Sequence, residues 1–85
     1  MNNFIFTIRW KKDFDKIDSV NKTRILNKLR FLKEVSDLWL YFKKLENFYP
    51  ATHRLRVWDL RIILEKVDNN NFKILNIWNR GDIYK

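Results

Sequence analysis

Cysteine is absent from this 85-residue sequence, which excludes disulfides and thiolate metal sites and fits an intracellular, cytoplasmic protein. Glycine and proline occur once each, too rarely for a flexible linker or a low-complexity tract. The longest uninterrupted apolar run, Leu38 to Phe42, falls far short of the ~20 residues that a membrane-spanning helix needs, and the first residues carry no secretory h-region. No membrane association is expected. No His/Asp/Glu set has the spacing of metal ligands, and there is no phosphate-binding loop, dinucleotide fingerprint or Ser/His/Asp arrangement. Neither a metal nor a cofactor is expected.

What the sequence does contain is apolar and basic. Hydrophobic residues make up 46% and aromatic residues 16%, enough to drive folding, and the length allows one core. A single domain over residues 1–85 is expected. Eighteen Lys and Arg against ten Asp and Glu leave a formal charge of +8, a field that attracts polyanions. Nucleic acid, an anionic membrane or an acidic protein would each satisfy it.

Along the chain, Phe4, Phe6 and Ile8 alternate with Ile5, Thr7 and Arg9 and predict a strand ending near Trp10. From Lys11 the spacing turns helical, with Phe14 and Ile17 three apart. Asp18 and Ser19 break this first helix, and Asn21 is placed to cap a second, whose apolar stripe is Ile25, Leu29, Leu32 and Val35. Lys22, Arg24, Lys28 and Lys33 form its solvated side. Residues 36–52 have no clear period and read either as an extension of the second helix or as a loop with a short helix. After Pro50 come three strands, over Arg54–Trp58, Leu60–Val67 and Phe72–Trp78. Asp68, Asn69, Asn70 and Asn71 make a strong hairpin turn, and Trp58-Asp59 a weaker one. The order is strand, helix, helix and antiparallel meander, an α+β arrangement.

Period-two alternation puts Arg54 and Arg56 on one face of their strand and Leu55 and Val57 on the other. Arg61 can join them from the next strand, and Arg80 follows the last strand with Tyr84 four residues on. Such a cluster suits phosphate, because guanidinium groups donate paired hydrogen bonds and stay charged when partly desolvated. Arginines on an exposed sheet face are equally often plain solvated charges, and a terminal Tyr is more often a packing residue than a catalyst. His53, the sole histidine, is in phase with Leu55 and Val57 and reads as structural rather than as an acid/base group.

The stretch His53-Arg-Leu-Arg-Val-Trp-Asp-Leu-Arg-Ile-Ile-Leu, followed by Ile74-Leu-Asn-Ile-Trp-Asn-Arg-Gly-Asp-Ile-Tyr84-Lys, resembles the RelE/ParE toxin superfamily, and more narrowly its RelE-like branch. The N-terminal half agrees, with its strand, Lys-Lys-Asp-Phe helix start and helical hairpin. The resemblance spans nearly the whole chain on short, degenerate motifs. It implies an N-terminal strand and a two-helix hairpin packed on a curved antiparallel sheet of about four strands. It also implies a toxin of a type II toxin–antitoxin system, neutralised by a cognate antitoxin. RelE-like members cut messenger RNA in the ribosomal A site without metal, and ParE-like members inhibit DNA gyrase. Carried over by position, the RelE-like basic site falls on Arg54, Arg56, Arg61 and Arg80, with Tyr84 as the C-terminal aromatic.

Two positions depart from the family pattern. The turn that usually carries Gly holds Trp58, which raises the cost if a positive φ is required there. The first two basic positions, often Lys in the family, are Arg54 and Arg56. Because Arg is essentially never deprotonated, Tyr84 becomes the main proton acceptor in a ribonuclease reading. An unperturbed tyrosine has a pKa of ~10, and neighbouring cations lower it. Trp58 and Trp78 are the rings available to stack on a base. Three readings stand: a metal-independent endoribonuclease acting on ribosome-bound mRNA, a ParE-like gyrase inhibitor, and an inactive relative that binds RNA without cutting it.

Overall fold

The first strand is shorter than alternation predicts, because Thr7 acts as a helix cap. The computed structural model describes residues 1–79. In it β1 spans Asn3–Phe6 and α1 spans Ile8–Asp15. The Thr7 hydroxyl oxygen accepts from the Trp10 amide at 3.2 Å and donates to the Ile74 carbonyl at 2.7 Å, fixing where the helix starts and tying it to the last strand. Ile8 and Trp10 are therefore helical. Trp10 is buried and stacks on Phe14, four residues on, with ring centroids 5.2 Å apart, whereas Ile8 is exposed. A strand would have put Ile8 and Trp10 on the same face.

The second helix, α2, spans Ser19–Leu32. Its cap is Asp18 rather than Asn21. The Asp18 carboxylate accepts from the Asn21 amide at 3.3 Å and from Asn21 Nδ2 at 2.8 Å, so the expected capping residue is instead a donor to the true one. Those bonds, the side-chain one first, hold the Asp18 carboxyl below its ordinary pKa. Ile25, Leu29 and Leu32 are buried as the stripe predicts, while Val35 packs on the core from beyond the helix end. There Asn2, itself buried, donates through Nδ2 to the carbonyls of Leu32 at 2.9 Å and Val35 at 2.8 Å. A polar side chain next to β1 thus satisfies acceptors that a helix C-terminus leaves open.

Residues 36–52 hold a single 3₁₀ turn, Leu38–Leu40, and a short strand β2, Phe42–Lys44, which periodicity did not reveal. Leu38 is buried from the turn and Phe42 from the strand, so the apolar run changes conformation before either period can register. Then follow β3, His53–Val57, β4, Leu60–Lys66, and β5, Asn71–Asn79. Among the described residues the sheet has five strands, in the order β1-β5-β4-β3-β2. It is mixed rather than wholly antiparallel, because β1 runs parallel to β5. The β4–β5 turn is held by Asp68, whose carboxylate accepts from the Asn70 amide at 2.9 Å and from Asn71 Nδ2 at 2.8 Å. In this ladder Ile63 opposes Asn76 and Leu64 opposes Ile74, leaving Leu75 as an extra residue. Such a bulge bends a strand and increases its twist.

The core lies between the helices and one sheet face, where Leu55, Val57, Leu60, Ile62, Leu64 and Ile74 join Trp10, Ile25, Leu29 and Leu32. Asp13 of α1 reaches the β5 backbone and accepts from the Ile77 amide at 2.9 Å. Among the described residues, no helix is long and apolar enough to cross a membrane.

Candidate functional site

Cross-strand register decides which arginines share a face. Arg54 opposes Ile63 and Arg56 opposes Arg61, while Leu55 opposes Ile62 and Val57 opposes Leu60. Directly opposed residues project to the same side of a sheet. Leu55, Val57, Leu60 and Ile62 belong to the core, so Arg54, Arg56 and Arg61 stand on the face away from the helices. Arg61 in turn opposes Trp78 of β5, whose ring meets Phe48 from the segment before β3 at 5.7 Å. Three of the five residues singled out in the sequence thus share one face. The other two, Arg80 and Tyr84, lie outside the described residues.

Their surroundings differ. Arg56 is exposed, Arg54 is half-buried and Arg61 is only 6% exposed. Two guanidinium groups meet at one carbonyl, that of Trp58, which accepts from Arg56 Nε at 3.1 Å and from Arg61 Nη1 at 3.5 Å. The tight β3–β4 turn therefore orients both side chains. Trp58 has φ 58°, in the left-handed region that favours glycine. The positive φ that the family pattern associates with Gly is thus present at this turn, carried by a tryptophan.

His53 faces the opposite way from Arg54. Its Nδ1 lies 2.9 Å from the Thr52 hydroxyl, and its ring packs against Trp39 at 5.2 Å. Burial first, then the charges of Lys66 and Lys44, push its pKa below the ordinary value, so the neutral imidazole is favoured. Among the described residues, no three His, Asp or Glu side chains are grouped closely enough to hold a metal ion.

Sequence reading did not connect this face to α2. An open cleft of about 410 Å³ lies between α2 and the β3–β4 turn, lined by Arg24, Asn27, Lys28, Phe31, Arg56, Val57 and Trp58. The Arg24 guanidinium sits over the Trp58 ring, 4.0 Å from its centroid. In the sequence Arg24 and Lys28 are only members of a solvated helix face. Their i, i+4 spacing was legible, but the turn that brings Trp58 to them was not. A second groove of about 270 Å³ runs between β1 and α2, lined by Phe4, Phe6, Leu26 and Leu29 with Arg30 and Lys33.

No protein-family profile and no curated protein matches the sequence. Solved structures do match its fold. A chain of the RelB–RelE antitoxin–toxin complex from Methanococcus jannaschii is similar with a TM-score of 0.72 and 22% identity, covering 94% of each chain. A chain of the archaeal RelE–RelB complex from Pyrococcus horikoshii gives a TM-score of 0.68 at 21% identity, over 94% of this chain and 96% of that one. YafQ from E. coli covers both chains fully, with a TM-score of 0.63 and 12% identity.

Proposed function

We propose that this chain, which has the fold of the RelE toxins, is the toxin of a type II toxin–antitoxin pair and acts in the cytoplasm as a metal-independent endoribonuclease on ribosome-bound mRNA. The observation that carries the reading is the placement of Arg54, Arg56 and Arg61 on one sheet face, two of them bonded to the Trp58 carbonyl. The exposed Arg56 guanidinium on this face is placed to donate paired hydrogen bonds to a phosphate. In the proposed reaction the ribose 2′-hydroxyl attacks the adjacent phosphorus. The P–O5′ bond breaks, a 2′,3′-cyclic phosphate forms, and the departing 5′-oxygen takes up a proton. Arg54, Arg56 and Arg61, with Arg80, hold the in-line geometry and offset the charge that develops on the phosphoryl oxygens. Tyr84 accepts the 2′-hydroxyl proton, because the arginines cannot.

The cognate antitoxin is supported by neighbours that are RelB–RelE complexes. On this chain, the groove between β1 and α2 gives such a partner apolar surface from Phe4, Phe6 and Leu26 beside the cations Arg30 and Lys33.

The test is to add the protein to translating ribosomes and map message cleavage by primer extension, alongside a gyrase supercoiling assay. Cleavage within the A-site codon is expected, with supercoiling unaffected. Tyr84→Phe should lower the cleavage rate by ~10²–10⁴-fold, the usual contribution of acid/base catalysis, while RNA affinity holds. An intact message together with blocked supercoiling would overturn the reading in favour of gyrase inhibition. RNA binding without cleavage would leave only the inactive RNA-binding relative.

A further inference from the structure

We propose that the cleft between α2 and the β3–β4 turn is a nucleotide subsite, in which a base of single-stranded RNA stacks on Trp58 and its phosphate is held by Arg24, Lys28 and Arg56. The inference rests on the ribonuclease reading and adds to it where the strand runs beside the arginine face. Three observations converge on it.

First, the cleft is continuous with that face. β2 pairs with β3 only as far as Leu55, opposite Phe42, so Arg56 and Val57 lie beyond the last β2 pairing. Arg56 shares its face with Arg54 and Arg61, and it also lines the cleft. A strand with one phosphate on the arginine face can therefore place a neighbouring nucleotide in the cleft without leaving the protein.

Second, the chemistry of the lining fits a planar anion. Among the described residues the lining side chains include three cations, Arg24, Lys28 and Arg56, two aromatic rings, Phe31 and Trp58, and no carboxylate. Asn27 supplies an amide that can both donate to and accept from a base edge. The volume of about 410 Å³ falls within the ~300–1,000 Å³ of small-ligand sites.

Third, the ring is held out at a conformational cost. Trp58 is 63% exposed at φ 58°, where glycine would be unstrained. A backbone outlier that keeps a large ring exposed is a ground for assigning that ring a function. Arg24 covers part of the indole at 4.0 Å and leaves ring surface for a base. An acidic peptide could use the same cations, but it would not need a flat ring beside a phosphate-binding face.

The test uses Trp58→Gly and Arg24→Gln in the full chain. A fluorescent 2′-O-methyl single-stranded RNA oligomer, which cannot be cleaved, is titrated by anisotropy, and thermal midpoints are measured in parallel. Trp58→Gly should weaken RNA binding by ~5- to 100-fold, the loss of one stacked base, while the thermal midpoint stays level or rises. An oligomer of the same length made entirely abasic should bind both proteins equally. Arg24→Gln should weaken binding of either oligomer. Wild-type binding of RNA that neither variant changes would overturn the subsite and leave the ribonuclease reading standing. A wild-type protein that neither binds nor cuts RNA would overturn both. If Trp58→Gly abolished binding of a poly-glutamate peptide and not of RNA, the cleft would belong to an acidic protein partner and the proposal would fall.

Discussion

At position 58 a bulky side chain sits at φ 58°, a conformation that costs a residue with a Cβ roughly 1–2 kcal/mol relative to glycine. An exposed cation–π contact returns only about 0.5–1 kcal/mol, so the Arg24 stack does not cover the penalty alone. Two guanidinium groups donating to the Trp58 carbonyl make up part of the rest. The strain and the arginine face are thus coupled through one peptide group. His53 is a different case, because its environment leads to a pH effect. The unfolded imidazole titrates at its ordinary value of 6.5, and in the folded chain burial, with Lys66 and Lys44, lowers that value. Between the two values the unfolded chain binds more protons, so stability falls as pH drops below 6.5 and levels off under the folded value. The thermal midpoint should therefore decrease between about pH 7.5 and about pH 5.5. His53→Phe, which keeps a ring against Trp39, should remove that decrease. An unchanged decrease in the variant would assign the effect to another group. Asp18 and Asp68, both lowered from 3.8, act only in stronger acid and leave this window clear.

The elements differ in how far local sequence determines them. The stripe of α2 was legible because one period held over its length, and β3 to β5 because β-branched and apolar runs were bounded by turn residues, with the Asp68 to Asn71 turn having its own chemistry. The start of α1 was not. Four alternating residues before Thr7 look the same whether the strand continues or stops, and the deciding contact is a hydroxyl that reaches the Ile74 carbonyl 67 residues away. The same limit hid β2, whose three residues hold their pairing only because β3 lies beside them, and the parallel pairing of β1 with β5. Of the candidate site, the shared face of Arg54 and Arg56 followed from alternation alone, whereas the α2 wall of the cleft needed the tertiary fold. If Thr7 sets the boundary of α1, Thr7→Ala should cost about 1–2 kcal/mol, at the upper end for a lost N-cap, because the bond to Ile74 goes with it. Thr7→Ser should recover most of that loss in a denaturant melt. Equal losses in both variants would assign the role to the methyl group and its packing.

At the scale of the molecule, a net charge of +8 guarantees some affinity for any polyanion, so weak RNA binding by itself says little about a site. Ionic strength separates a site from a field. A protein that neutralises Z phosphates of single-stranded RNA gives a slope of about −0.7Z in log affinity against log salt. Each phosphate lost from a defined contact should therefore remove about 0.7 from that slope. Arg56 is exposed, shares its face with Arg54 and Arg61, and lines the cleft beside α2, so Arg56→Ala should reduce the slope by about one such step. Lys12, an exposed residue of α1, carries the same charge elsewhere, and Lys12→Ala should leave the slope within error. The comparison holds total charge constant, because both variants lose a single cation. If they shift the slope equally, RNA responds to the overall field and the arginine face is not a site. If only Arg56→Ala does so, the phosphate contacts are local. A proportionate fall in cleavage by the same variant would then tie binding and chemistry to one surface.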